Sequence, residues 1–161
     1  MATVNLSQFN KEELANVDNF RFGIVVSEWN KDITANLLEG VLSTFIDLKI
    51  RKQNISIVKV PGSFELIYAT HKLCKSNVFD AVISIGNIIR GETSHFDYIC
   101  SAVAQGIKDI NILTQTPAIF CVLTDENKQQ SIDRSGGKYG NKGVEAAVTA
   151  IKMAQLKQEK I

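Results

Sequence analysis

Proline, cysteine and aromatic residues are scarce in this chain, and neither sign of charge dominates it. Two prolines beside ten glycines exclude a collagen-like or proline-rich chain. The cysteines are Cys74, Cys100 and Cys121, an odd number with no Cys-x-x-Cys spacing, which argues against a disulfide framework. His71 precedes Cys74 at close spacing, but no second ligand pair follows, so no metal site is expected. No stretch approaches the roughly 20 apolar residues of a membrane span, and the N-terminal segment lacks a signal-peptide core. Lys plus Arg number 18 against 17 Asp plus Glu, so no broad basic face for nucleic acid or an anionic membrane is expected. Reduced thiols and the missing targeting signals point to the cytoplasm.

What is present fits one folded domain. The 161 residues are 45% apolar, and a chain of this length buries about 70% of its unfolded surface without a staple. Four short apolar runs, 22–26, 55–60, 81–85 and 118–123, read as strands, most of them continuous enough to be covered on both faces. Between them Ile33, Leu37, Val41, Phe45 and Leu48 recur at helical spacing, as do Ile99, Val103, Ile107 and Ile110. Val144, Val148 and Ile151 form a last stripe flanked by alanines, and 64–74 and 126–134 are shorter helical candidates. Alternating strands and helices predict βαβ crossovers and a parallel sheet between helix layers. Residues 1–19 fall outside that rhythm and read as an arm before a domain over 20–161, with too few apolar side chains to supply a core element.

In an open parallel sheet, ligands bind beyond the carboxyl ends of the strands. That rule selects 27–30, 61–65, 86–95 and 124–126. Trp29, the only tryptophan, is there either a hydrophobic contact near a helix start or a flat platform for a planar ring. His95 stands at the start of the next helix, with Thr93 or Ser94 as cap and Asp97 completing a capping box if Ser94 is the cap. The helix dipole there favours an uncharged imidazole, suited to moving protons, although a histidine at a helix start also serves structure or simply meets solvent. His71 sits near Lys72 and Lys75 and reads as a surface residue. Gly136, Gly137, Gly140 and Gly143 cluster with Arg134, Lys138 and Lys142, either as an anion cradle or as a flexible connection between helices. The spacing matches no Walker A loop, and no strand precedes it as a dinucleotide fingerprint requires.

The run Gly86-Asn87-Ile88-Ile89-Arg90-Gly91-Glu92-Thr93-Ser94-His95-Phe96-Asp97-Tyr98 resembles the central signature of the 6,7-dimethyl-8-ribityllumazine synthases, a riboflavin-biosynthesis family. Trp29-Asn30, Val60-Pro61-Gly62-Ser63-Phe64-Glu65, and Asp133-Arg134-Ser135-Gly136 continuing to Gly140-Asn141-Lys142-Gly143 agree in order and spacing. Four blocks in register across residues 20–156 make a specific match. Asn87, Asp133 and Tyr139 depart from the usual pattern: Asn87 is larger or more polar than common, Asp133 a shortened carboxylate, Tyr139 an enlargement of the glycine loop.

The resemblance implies a three-layer α/β/α sandwich with a four-stranded parallel, flavodoxin-like sheet. It also implies an enzyme, a transferase that condenses 5-amino-6-(D-ribitylamino)uracil with 3,4-dihydroxy-2-butanone 4-phosphate, releasing phosphate and water, without metal or organic cofactor. By similarity His95 is the proton donor and acceptor, and Trp29 stacks on the pyrimidine. Ser63, Phe64 and Glu65, with Asn30 assisting, hold the pyrimidine and its ribityl chain, while the backbone of Asn87, Ile88 and Ile89 reads the ring edge. Glu92 and Thr93 flank the phosphate-bearing substrate. Phe120 and Arg134 come to the pocket from an adjacent subunit, with Arg134 binding the departing phosphate and Lys138 adding charge. Family members are homopentamers, some assembling twelve pentamers into an icosahedral shell that can enclose riboflavin synthase, and the short Ser135–Gly143 connection favours shell competence. The N-terminal arm would add to a neighbour's sheet edge. Two rival readings are a flavin mononucleotide module and a noncatalytic shell protein. The first wants a glycine- or threonine-bearing loop where 27–31 has neither, and the second does not require His95, Arg134 and Glu65 together.

Overall fold

Valine- and isoleucine-rich segments too short for helices pair into a sheet that buries both of its faces. The computed structural model describes residues 9–10, 14 and 17–159. Strands β1 (Phe22–Ser27), β2 (Ile55–Val60), β3 (Ala81–Ile89) and β4 (Ala118–Asp125) form one sheet in the order β2-β1-β3-β4. Every pairing is parallel, with Phe22 opposite both Ile55 and Ala81, and Val82 opposite Ala118. Helices α1 (Lys31–Asp47), α2 (Leu66–Lys75), α3 (His95–Leu113), α4 (Lys128–Arg134) and α5 (Lys142–Gln158) occupy the crossovers and the end of the chain. The result is a three-layer α/β/α sandwich of flavodoxin-like topology.

Strand alternation divides the core. Phe22, Ile24 and Val26 point toward α1 and α5, where they meet Ile33, Leu37, Val41 and Phe45. Val25, Val82 and Val122 point toward α2 and α3, against Leu66, Val103 and Ile107. Each such side chain contributes roughly 1.5–3 kcal/mol on burial, so four anchors suffice to dock α1. Phe22 also stacks on Phe45, ring centroids 4.5 Å apart.

Five details differ from the expectation raised by the sequence. Leu14 and Val17 are buried in the α1/α5 core, so the segment before residue 20 does supply core side chains. Residues 1–8, 11–13 and 15–16 of the expected arm lie outside the described residues. Strand β2 is an edge strand with Ser56, Ile57 and Lys59 exposed, not a strand covered on both faces. On α5 the side chains turned inward are Ala146, Ala147, Ala150, Ile151 and Ala154, whereas Val144 and Val148 are only half-buried. The connection before α5, which the sequence leaves open between an anion cradle and a flexible link, holds a small antiparallel hairpin, β5 (Ser135–Gly137) with β6 (Gly140–Asn141). Gly136 and Gly140 there have φ of 120° and 80°, the left-handed region open to glycine.

The fifth difference builds the site. β3 and β4 outrun β1 and β2, so the expected loop at 86–89 is in fact strand. β1 and β2 end together at Ser27 and Val60, while Asn87, Ile88 and Ile89 continue to pair with Leu123, Thr124 and Asp125. A ledge of two strands therefore projects past the point where the other two stop. It lies at the switch point between β1 and β3, where such sheets bind ligands.

Candidate active site

A cleft of about 460 Å³ opens over that ledge. Its first wall follows β1: Trp29 is 68% exposed, with nothing of the core to cover it, and its ring lies against Gly62. Asn30 begins α1 in the left-handed conformation (φ 53°), which asparagine tolerates, and its side chain donates to the Asn87 carbonyl at 3.2 Å. That bond ties the end of β1 to the ledge. The second wall is the turn after β2. Ser63 is buried, Phe64 half-exposed, and the Glu65 carboxylate accepts from the Gly62 amide at 2.9 Å, which fixes the acid at the start of α2. Gly86 permits this arrangement, because a Cβ there would come within 2.8 Å of Leu66 and of the Ser63 hydroxyl.

The third wall is the start of α3. Thr93 and His95 line the cleft, and Phe96 and Ile99 lie beside them. The expected capping box does not form. Ser94 makes no side-chain cap bond, and the Thr93 hydroxyl accepts instead from the His95 amide at 3.4 Å. Asp97 turns away to Arg90, whose guanidinium holds its carboxyl below the usual range. Phe96, within the central motif, and Ile99, just after it, were given no site role, although their closeness to His95 on one helix is a readable signal.

Under the ledge runs a buried polar chain. Asn87 Nδ2 donates to Ser131 Oγ at 2.9 Å, and that hydroxyl donates to Asp125 Oδ2 at 2.7 Å. Asn87 Oδ1 and Ser27 Oγ are buried without a hydrogen-bond partner among the described residues. Asn87 thus presents its carbonyl to Asn30 while its side chain pins α4 to the sheet.

Ten residues singled out in three separated sequence blocks therefore meet at one opening: Trp29 and Asn30; Ser63, Phe64 and Glu65; Asn87, Ile88, Ile89, Thr93 and His95. The family model described as 6,7-dimethyl-8-ribityllumazine synthase matches residues 19–158. The chain belongs to this family. A lumazine synthase of Christiangramia forsetii is 55% identical over 156 residues, covering 96% of this chain and 93% of its own. One from Flavobacterium johnsoniae is 56% identical over 155 residues, covering 96% and 82%. Another, from Parabacteroides distasonis, is 49% identical over 158 residues, covering 97% and 99%.

Three residues carried over from the lumazine synthase motifs do not line the cleft of this chain. Glu92 is exposed on the loop before α3, and Phe120 is 43% exposed on β4. Arg134 ends α4, its Nη1 donating to the Gln130 carbonyl at 3.2 Å. The guanidinium of Arg134 and the ammonium of Lys138 each lie 5.2 Å from the centre of the Tyr139 ring, so Tyr139 gathers two cations at the hairpin. Lys142 is not part of that cluster, because it pairs with Glu145 within α5. Its glycine neighbours answer to geometry: a Cβ on Gly137 would meet the Ile132 carbonyl at 2.7 Å.

The thiols stand apart from the chemistry. Burial pushes Cys74 and Cys121 up to about 12, so both stay protonated at neutral pH, and neither lines the cleft. His71 is half-buried on α2, also outside it. Among the described residues, no group of His, Cys, Asp and Glu could hold a metal, and no helix is long and apolar enough to cross a membrane.

Proposed function

We infer that the cleft is one side of a lumazine-forming active site. The chain condenses 5-amino-6-(D-ribitylamino)uracil with 3,4-dihydroxy-2-butanone 4-phosphate to give 6,7-dimethyl-8-ribityllumazine, phosphate and water. The observation that carries this reading is the convergence of three of the four sequence blocks on one aromatic-walled opening at the switch point of the sheet.

The residues divide the work by chemistry. Trp29 offers its exposed face to the flat pyrimidine, and Phe64 is a second exposed ring at the opening. Ser63, Glu65 and Asn30 supply polar groups for the ribityl hydroxyls, and the ledge from Asn87 to Ile89 brings backbone donors and acceptors to the ring edge. Amine attack on the ketone, loss of water, elimination of phosphate and closure of the second ring each shift protons, and His95 is the group at the cleft suited to shuttle them. Thr93 and Glu92, at the start of α3, flank the phosphate-bearing substrate. Holding two substrates in register supplies much of the acceleration.

Phosphate needs a cation, and this chain's cleft lacks one among its lining residues. We assign that role to Arg134, backed by Lys138, reaching the cleft of an adjacent subunit along with Phe120. The enzyme would thus act as a homopentamer, with twelve pentamers able to close an icosahedral shell around riboflavin synthase. The domain spans 20–161 in this reading, and the segment before it is anchored on the domain's own core through Leu14 and Val17. The free cysteines and the biosynthetic family support a cytoplasmic setting.

The test is direct. Purified protein incubated with both substrates should release the fluorescent lumazine and phosphate together in equal amounts. Fluorescence that fails to rise above the uncatalysed rate would overturn the reading, and light scattering on the same sample separates pentamer from shell.

A further inference from the structure

Arg90 follows β3 directly and lies outside the lining of the cleft, yet it grips the helix turn that carries His95. Its Nη2 and Nη1 donate to the two carboxylate oxygens of Asp97 at 2.8 and 3.2 Å. Its Nε donates to Glu126, on the loop after β4, at 2.6 Å. The guanidinium carbon sits 4.2 Å from the centre of the Phe96 ring, and the Arg90 amide is itself anchored on the Asp125 carbonyl at 3.0 Å. One side chain thus holds both residues that follow His95 and ties them to a second loop.

The first turn of α3 needs an outside hold. Ser94 offers no side-chain cap, the Thr93 contact is long at 3.4 Å, and Asp97 is committed to Arg90. Helix starts without such partners leave amide donors unsatisfied and fray. We infer that Arg90 is a positioning residue of the reaction: its fork on Asp97, its bond to Glu126 and its stack on Phe96 fix the first turn of α3 so that the His95 imidazole stays at the cleft. The inference rests on the reading above that His95 moves the proton.

The chemistry of the clamp requires arginine. A planar guanidinium can serve a carboxylate with two parallel bonds while its face rests on an aromatic ring, and a lysine ammonium cannot. The groups are open to solvent, with side chains 35%, 57% and 60% exposed for Arg90, Asp97 and Glu126. Ion pairs so exposed add little to global stability. Their effect falls on local geometry, to which proton transfer between positioned groups is sensitive.

A double-mutant cycle on the whole enzyme tests this. Arg90→Met should lower kcat about tenfold while the KM for the ribitylaminouracil moves less than about twofold. Arg90→Lys should fall between, and thermal midpoints should stay within about 3 °C of the parent. In a His95→Gln background, Arg90→Met should lower kcat less than about twofold further, because the group it positions is gone. If the Arg90 variants do not fold, Asp97→Asn gives the same cycle with a smaller loss in the same direction. Equal losses in both backgrounds, or an unchanged kcat in Arg90→Met, would overturn the clamp and leave the His95 role standing. An unchanged kcat in His95→Gln alone would remove that role and the inference with it.

Discussion

The buried chain of Asn87, Ser131 and Asp125 shows how much a single hydroxyl can carry. All three residues are at most 5% exposed, and Ser131 both accepts from the amide and donates to the carboxylate. Ser131→Ala would strand two buried polar groups at once, for a loss of roughly 2–3 kcal/mol. Adding Asn87→Ala removes one stranded group, so the double variant should cost less than the sum of the singles by about 0.5 kcal/mol or more. Urea unfolding at fixed protein concentration measures both. Additivity within about 0.3 kcal/mol would mean the three do not act as a unit. At this scale the motif blocks were legible and the chain was not, since Ser131 links Asn87 to Asp125 only after β4 and α4 have folded beside β3.

Among the elements, the contact of α1 with α5 depends on what is missing from it. Gly143 lets the second residue of α5 approach the α1 backbone, and a Cβ there would lie 1.9 Å from the Leu37 carbonyl oxygen. Asn141 fastens the same junction, donating to the Asn36 carbonyl at 2.8 Å and capping α5 through Gly143 N at 2.7 Å. Gly143→Ala must push the helices apart, and we expect it to destabilise by about 2–3 kcal/mol. Ala150→Gly makes a useful comparison in the same helix. Its cost should be nearer 1 kcal/mol of helix propensity plus a small loss of packing, and thermal melts would rank the two. A smaller loss for Gly143→Ala than for Ala150→Gly would contradict the close approach. Hydrophobic periodicity alone had drawn the α5 stripe through Val144 and Val148. The packed face keeps Ile151 of that stripe and otherwise runs through the alanines, because small side chains let α5 sit close to its neighbours.

For the whole molecule, the position of Arg134 outside its own cleft sets the experiment. In the proposed assembly, His95→Gln and Arg134→Ala should each lower activity at every site. When the two variant proteins are mixed with subunit exchange, some clefts pair an intact His95 with an intact Arg134 from the neighbour. With random equal mixing, roughly a quarter of the sites should be whole, and activity should recover toward that level. No recovery in verified mixed assemblies would place both residues in the same chain's site. The large exposed side chains of Ile112, Leu113 and Phe120 are consistent with surfaces meant for a second copy. The net charge of +1 conceals the relevant electrostatics, since Arg134 and Lys138 meet at Tyr139 while Lys142 is neutralised by Glu145.

The amino-acid order by itself determined the alternation of strands and helices, hence the parallel sheet, and it carried four motif blocks specific enough to name a family. Those properties are local: β-branched runs, helical periodicity and short residue strings are written along the chain and need no partner to be read. The tertiary structure decided the rest. It extended β3 and β4 past β1 and β2 to make a ledge, turned Asp97 from a helix cap into a partner of Arg90, and drew Leu14 and Val17 into the core. The ledge and the burial of Leu14 and Val17 depend on side chains that meet across tens of residues, and the Arg90–Asp97 pair is held in place by Glu126, 36 residues on. Such competition between a local partner and a distant one is settled only when burial and hydrogen-bond geometry are set by the packed whole.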